Sequence, residues 1–371
     1  MNKQMAAVLG RINAVKGRLA GSLLARSLTF GYSNARVKAM RASLLPREAI
    51  GQMIDADKVA DIIGMLERTD YKADFSEPAL KYSGADLVEF ALGRHLVRKA
   101  RKVLSFTPKE AVPAVLSVLE KWDAYNLKTI LLAKHLGHSN DDIKPFLVPA
   151  GVFTMNELNV ILERGNAMEI ASFLSETSYG AELQPLLNDY KKSKNIQPLL
   201  NALEKHFYAK LSRSISPHTA DGSRILELVR ADIDNRNIMI ILRGKGSGVS
   251  EAEIKPYLVE GGTLETKELA KLLRSKTADD AVKLVGERFG LEKAAELYKS
   301  TKSLVGIEIG LERRVASMGL KALRHSMLSP GALVGYLYLK EAEITNIRKI
   351  VRGKEFSVPA EELREAVMLA S

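Results

Sequence analysis

One block of this chain occurs twice, 111 residues apart, and its central helix recurs near the C-terminus. The first copy runs from Asp123 and Asn126 to Lys134, then through Ile143-Lys-Pro-Phe-Leu-Val148 to Gly151. The second runs from Asp234 and Asn237 to Lys245, then through Ile254-Lys-Pro-Tyr-Leu-Val259 to Gly262. The third runs from Glu343 and Asn346 to Lys354, with Asn346 lying 109 residues after Asn237. The register between the first two copies holds without a gap. A gapless repeat means that one packing unit is used several times. Units of this length predict pseudo-symmetric modules around an axis, not a single cleft.

Helical spacing dominates. Leu127, Ile130 and Leu131 recur at i, i+3 and i+4 and line one helix face. Leu87, Phe90, Ala91, Leu92, Leu96 and Val97 are spaced in the same way. Alternating two-residue patterns bounded by hairpin turns are almost absent, so an all-α fold is expected. Ser139/Asp142, Ser250/Glu253 and Thr154/Glu157 read as capping boxes, in which hydroxyl and acid satisfy orphan amides at a helix start. Pro145 and Pro256 limit the short helices that follow the first two.

The N-terminal region carries a shortened version. Asn34-Ala-Arg-Val-Lys-Ala-Met-Arg41 stands in for the core helix, and Leu45–Ile54 matches Phe153–Leu162 at an offset of 108. Basic helices are expected near 94–102, 205–213 and 312–324. The punctuation at Ser105–Pro108 and Ser214–Pro217 divides the chain into three helical modules, 1–105, 106–217 and 218–371, the last with closing helices.

With 371 residues, 46% of them apolar, the chain can bury a substantial core. It has no cysteine, which removes disulfides, thiolate nucleophiles and cysteine metal sites. No run of about 18 apolar residues is present, and no secretory signal is read. The net charge of +11 favours an anionic partner: nucleic acid, membrane surface or acidic protein. Residues 1–47 hold nine Lys or Arg and no acid. A second basic stretch covers Arg94, Arg98, Lys99, Arg101 and Lys102, and solvated helix faces are its simplest explanation.

No catalytic set stands out. His135 and His138 share a helix face, but the second copy has Gly246 and Val249 there, so no metal site is expected. Gly244-Lys-Gly-Ser-Gly248 lacks the order of a phosphate loop, and its counterparts could not cradle a phosphate. It reads as a helix exit, with Lys134, Lys245 and Lys354 set against the helix dipole. The Asp/Glu-x-x-Asn pairs are either a polar patch on a partner surface or a hydrogen-bonded junction between helices. Their repetition favours the junction. Core packing is the default for Trp122. No cofactor is expected.

Trp122-Asp-Ala-Tyr-Asn126 through Leu131, with Ile143 through Gly151, resembles the C subunit of archaeal-type ATP synthases and its counterpart, the d subunit of the vacuolar proton pump. Tyr32-Ser-Asn-Ala-Arg36 resembles the N-terminal segment of that family, and Leu333–Lys354 its last long helix. The resemblance implies three helical subdomains arranged as a funnel, resting on the membrane proteolipid ring and receiving the central rotor shaft. It implies a non-catalytic coupling socket, peripheral at the cytoplasmic face of the membrane. Arg11, Lys16 and Arg18 are the candidate contacts with ring or lipid. The alternative is a basic helical-repeat scaffold for nucleic acid or protein. Its repeat is longer than usual solenoid periods, and no nucleic-acid motif stands out.

Overall fold

The computed structural model describes residues 25–215 and 220–367. No strand occurs among them, and the all-α expectation holds. Seven long helices carry the architecture: α1 (25–40), α2 (Gly84–Ser105), α3 (Lys121–His135), α4 (Gln197–Ser214), α5 (Ala220–Gly246), α6 (Val305–His325) and α7 (Gly331–Glu355). Short helices and 3-10 turns fill the intervals.

The expected local signals are all realised. Ser139, Thr154 and Ser250 form reciprocal capping boxes with Asp142, Glu157 and Glu253. Pro145 and Pro256 sit in matching 3-10 turns, Lys144–Phe146 and Lys255–Tyr257. The three core helices α3, α5 and α7 end in the same way. At the exits, Gly137, Gly248 and Ser357 adopt left-handed φ values of 82°, 71° and 56°. The next amides, of His138, Val249 and Val358, donate to the carbonyls of Ala133, Gly244 and Gly353. This is the hydrogen-bonded stop that a left-handed residue allows. The glycine segment 244–248 is thus part of a helix end.

Burial gives a layout that periodicity does not reveal. Three apolar cores form among the described residues. One lobe packs residues between Leu127 and Leu203, and a second packs residues between Ile238 and Leu311. A hub joins residues from both ends of the chain, including Val37, Met53, Tyr336 and Val367. The long helices run between these cores. In α3, Ala124 belongs to the hub while Leu127, Ile130 and Leu131 belong to the first lobe. In α5, Ile233 belongs to the hub and Ile238 to the second lobe. Helices α4 and α6 return the other way, with Leu203 and Leu311 in the lobes and Leu211 and Leu323 in the hub. Each lobe therefore hangs on two stiff helices that continue into a shared centre.

The hub is closed by the crossing of α6 and α7. A Cβ added to Gly335 would lie 2.6 Å from the Gly319 carbonyl oxygen and 2.7 Å from the Leu323 nitrogen, both backbone atoms. Neither atom can swing away, so the helices must separate. Gly335→Ala should cost about 2–3 kcal/mol by overpacking, read from urea unfolding. Gly246→Ala is the control. Nothing lies within 4 Å of the added carbon there, and helix propensity then favours alanine.

Candidate functional site

The repeated Asp/Asn pairs sit where the core helices pass from hub to lobe. Asn126 Nδ2 donates to the Val148 carbonyl at 2.8 Å, and its Oδ1 accepts the Val148 amide at 2.7 Å. Asn237 repeats both bonds with Val259, at 2.7 and 2.8 Å. Asp123 accepts the amides of Val152 and Phe153 at 2.8 and 3.0 Å. Asp234 accepts those of Thr263 and Leu264 at 2.9 and 3.1 Å, together with the Thr263 hydroxyl. Every clamp side chain is buried. The junction reading is correct for these two copies. Each pair pins a return loop onto its core helix and satisfies backbone groups there.

The preceding glycines follow from this. A Cβ on Gly151 or Gly262 would overlap the carboxylate of Asp123 or Asp234. Burial pushes the Asp123 carboxyl up to about 6, although the amides of Val152 and Phe153 favour its charged form. A carboxyl raised on folding stabilises the fold below its unfolded value, near 3.8, and loses that contribution as pH rises to about 6. Asp123→Asn should therefore remove a ~3 kcal/mol loss of stability between about pH 4 and 6.5. Urea midpoints of both proteins across that range check this. Parallel pH profiles would contradict it.

The third copy takes its partners from the other end of the chain. Glu343 accepts the Leu45 amide, and Leu45 is the counterpart of Phe153 at the 108-residue offset. Glu343 Oε1 also accepts the Tyr71 hydroxyl and Lys340 Nζ, each at 2.6 Å. Asn34 makes an Asn-type clamp of its own, on Ser329, donating at 3.0 Å and accepting at 3.5 Å. Arg348 pairs with Glu89 at 2.7 Å and Arg352 with Asp86 at 2.9 Å. The two ends of the chain are thus tied at several points.

Around Glu343 lies a buried ionic cluster. Lys340, His95 and Lys99 are essentially inaccessible. His95 Nδ1 meets Asp74 Oδ2 at 2.8 Å, and the imidazole stacks on Tyr71 at 3.7 Å. Arg98 reaches Asp74 at 2.7 Å and Asp70 at 3.3 Å, and Lys99 contacts Asp70. Burial lowers the His95 pKa against the pull of Asp74, which favours neutral imidazole. Burial, with repulsion from Lys340 and Lys102, draws Lys99 down to about 8. The solvated-face expectation fails for Arg98 and Lys99. Both turn inward because the 70–74 segment brings carboxylates against α2.

A cleft of about 660 Å³ opens between the two lobes, lined by Lys128, Glu204, Arg236, Arg243 and Glu308 among others. Glu204 of α4 takes Lys128 at 2.9 Å and Arg236 at 2.8 Å. Burial would raise its pKa, but the bonds and charges of Arg236 and Lys128 hold it at about 2. The Glu204 carboxylate is therefore a fixed charge at physiological pH, suited to holding these helices in place. Asn201 and Lys205 donate to the Pro256 carbonyl, at 3.1 and 2.5 Å, so α4 of one lobe grips the proline turn of the other.

Trp122 is only half-buried, and its indole N–H donates to Glu341 at 2.9 Å, linking α3 to α7 as well as packing. His135 meets the Tyr190 hydroxyl at 3.0 Å. Lys245 donates to the Ser275 carbonyl at 2.6 Å from the end of α5. Arg11, Lys16 and Arg18 lie outside the described residues. Among the described residues no helix is long and apolar enough to cross a membrane.

Residues 33–366 match the family described as ATP synthase (C/AC39) subunit. Along most of its length the chain is similar to proteins named as the C subunit of A-type ATP synthase. That of Thermoplasma acidophilum is 27% identical over 350 residues, covering 92% of this chain and 98% of the relative. That of Methanosarcina mazei is 29% identical over 354 residues, covering 92% and 94%. That of Haloquadratum walsbyi is 30% identical over 345 residues, covering 91% and 97%.

Proposed function

Because the chain belongs to the ATP synthase (C/AC39) subunit family, we propose that it is the non-catalytic socket of a rotary A/V-type ATP synthase. In this reading it seats the end of the central rotor shaft and rests on the membrane proteolipid ring. It passes torque between them while nucleotide chemistry proceeds elsewhere in the complex. It works as a peripheral protein at the cytoplasmic face. Three pseudo-symmetric helical units form a funnel, within the partition 1–105, 106–217 and 218–371. The closing helices of the last unit are completed by the first.

The observation that supports this most is the tying of the chain ends through Glu343, Leu45 and Tyr71. A socket under torque must resist being wedged open. Two lobes on continuous helices, clamped at the hub and joined across their cleft, meet that need. The ion pairs of Glu204 with Lys128 and Arg236 across the cleft also agree with a load-bearing role.

The test is rebinding of the pure chain to membranes stripped of peripheral proteins but retaining the ring, beside protein-free liposomes of the same lipids. Saturable binding to the ring membranes alone supports the socket. Equal binding to both, or to neither, overturns it. Neutralising Arg11, Lys16 and Arg18 together should weaken rebinding most at low salt without changing the unfolding midpoint. Each basic residue near an anionic surface contributes on the order of 1 kcal/mol, within a Debye length. Affinity independent of these residues across a salt series would remove them from the contact.

A further inference from the structure

Among the described residues one two-helix corner occurs three times. In the second lobe it is Thr266–Arg274 followed by Ala278–Phe289. In the first it is Met155–Leu162 followed by Ala167–Ser175. In the hub it is Arg47–Asp55 followed by Val59–Leu66. The N-caps of the second helices, Thr277, Asn166 and Lys58, keep the 111- and 108-residue offsets. The same backbone therefore tolerates different side chains on the corner face, and what differs there is not dictated by folding.

The difference is charge. The second lobe has Lys267, Lys271, Arg274, Lys276 and Lys283 on this face, all exposed. The first lobe has Asn156, Val160, Glu163, Gly165 and Ser172 at those positions, with a single carboxylate. The hub has Glu48, Gln52, Asp55, Asp57 and Gly64, with three. Five positions that are neutral or acidic in two copies are all cationic in the other.

Those cations line a concavity of about 820 Å³ floored by Ala270 and Leu284. Lys267, Lys271 and Arg274 follow i, i+4, i+7 spacing and form one stripe, roughly 10 Å long at 1.5 Å per residue. Lys283 comes from the opposite helix. Two acids are close. Asp280 is held in the Thr277 capping box, and Glu287 stands 3.9 Å from Lys283. The other four cations have no ion-pair partner among the described residues. Crowding like charges in a groove is unfavourable by itself, so the arrangement fits a site completed by an anionic occupant.

We propose that this groove is a docking site for an acidic amphipathic segment of a partner protein. A stripe of cations along one wall of a concavity, with Lys283 facing it, suits an inserted chain segment. A flat bilayer would touch only the rim. The stripe spacing matches carboxylates on successive turns of a helix, and Ala270 and Leu284 receive one or two aliphatic side chains between them. The site contains none of the clamp residues.

The full chain is titrated with a fluorescein-labelled Glu/Leu amphipathic peptide, its Gln/Leu counterpart and phosphatidylserine vesicles. The Glu/Leu peptide should bind saturably, and K267Q/K271Q/R274Q should weaken it at least tenfold. The control R47Q/R68Q/K72Q removes the same charge from the hub and should change affinity less than twofold. Circular dichroism and urea midpoints establish that both variants fold. Equal affinity of the groove variant and the wild type overturns the proposal, as does equal binding of both peptides. Groove-dependent binding to vesicles but not to the Glu/Leu peptide also overturns it and assigns the face to lipid.

Discussion

Asn237→Leu should lower stability by about 4 kcal/mol although it conserves size and adds apolar surface. The amide makes two bonds to its return loop, to the carbonyl and N–H of Val259, and both residues are buried. Leucine leaves two backbone groups without partners and without water, at about 1–3 kcal/mol each. Its extra apolar area recovers little, because the clamp already excludes solvent. Urea unfolding measures the loss. The slope carries further information: if the second lobe opens before the hub, the first transition exposes less surface and has a smaller slope than wild type. A change within about 0.5 kcal/mol would mean that the loop is held by packing alone.

Glu343→Leu should cost about 3–5 kcal/mol, because it abandons the Lys340 ammonium in a site with no access to water. The Leu45 amide and Tyr71 hydroxyl lose their acceptor as well. Lys340→Met in the same chain should recover much of the loss, since apolar groups often replace a buried ion pair at little cost. The double-mutant cycle separates the charge term from the two lost hydrogen bonds. Additive losses would mean that the pair does not interact. A large coupling with a residual loss would identify the tie to Leu45 and Tyr71 as a separate contribution to chain closure.

Much of this was readable in the sequence because it is local or repeats. Capping boxes, proline turns and helix exits depend on residues a few positions apart, and each occurs where its spacing predicts. The 111-residue register persists down to single bonds, Asn126 to Val148 and Asn237 to Val259. The fates of Lys99 and Arg98 were hidden because their carboxylates lie 24 to 29 residues away on a separate segment. The Leu45–Glu343 bond spans 298 residues. Its signal was nevertheless present. Leu45 matches Phe153, Glu343 matches Asp123, and Phe153 bonds to Asp123, so the third clamp follows by substitution. The hub-and-lobe division had no such signal, because the helices crossing between cores keep their apolar faces without interruption.

In the proposed role the chain couples shaft rotation to ion movement without catalysis of its own. The most direct measurement is ATP-driven ion uptake by vesicles whose complexes have been depleted of this chain and then resupplied with it. The coupling account predicts that depletion leaves ATP hydrolysis running while uptake is lost, and that the added chain restores uptake in proportion to its rebinding. Uptake that is equal with and without the chain, at equal ATP hydrolysis, would contradict it.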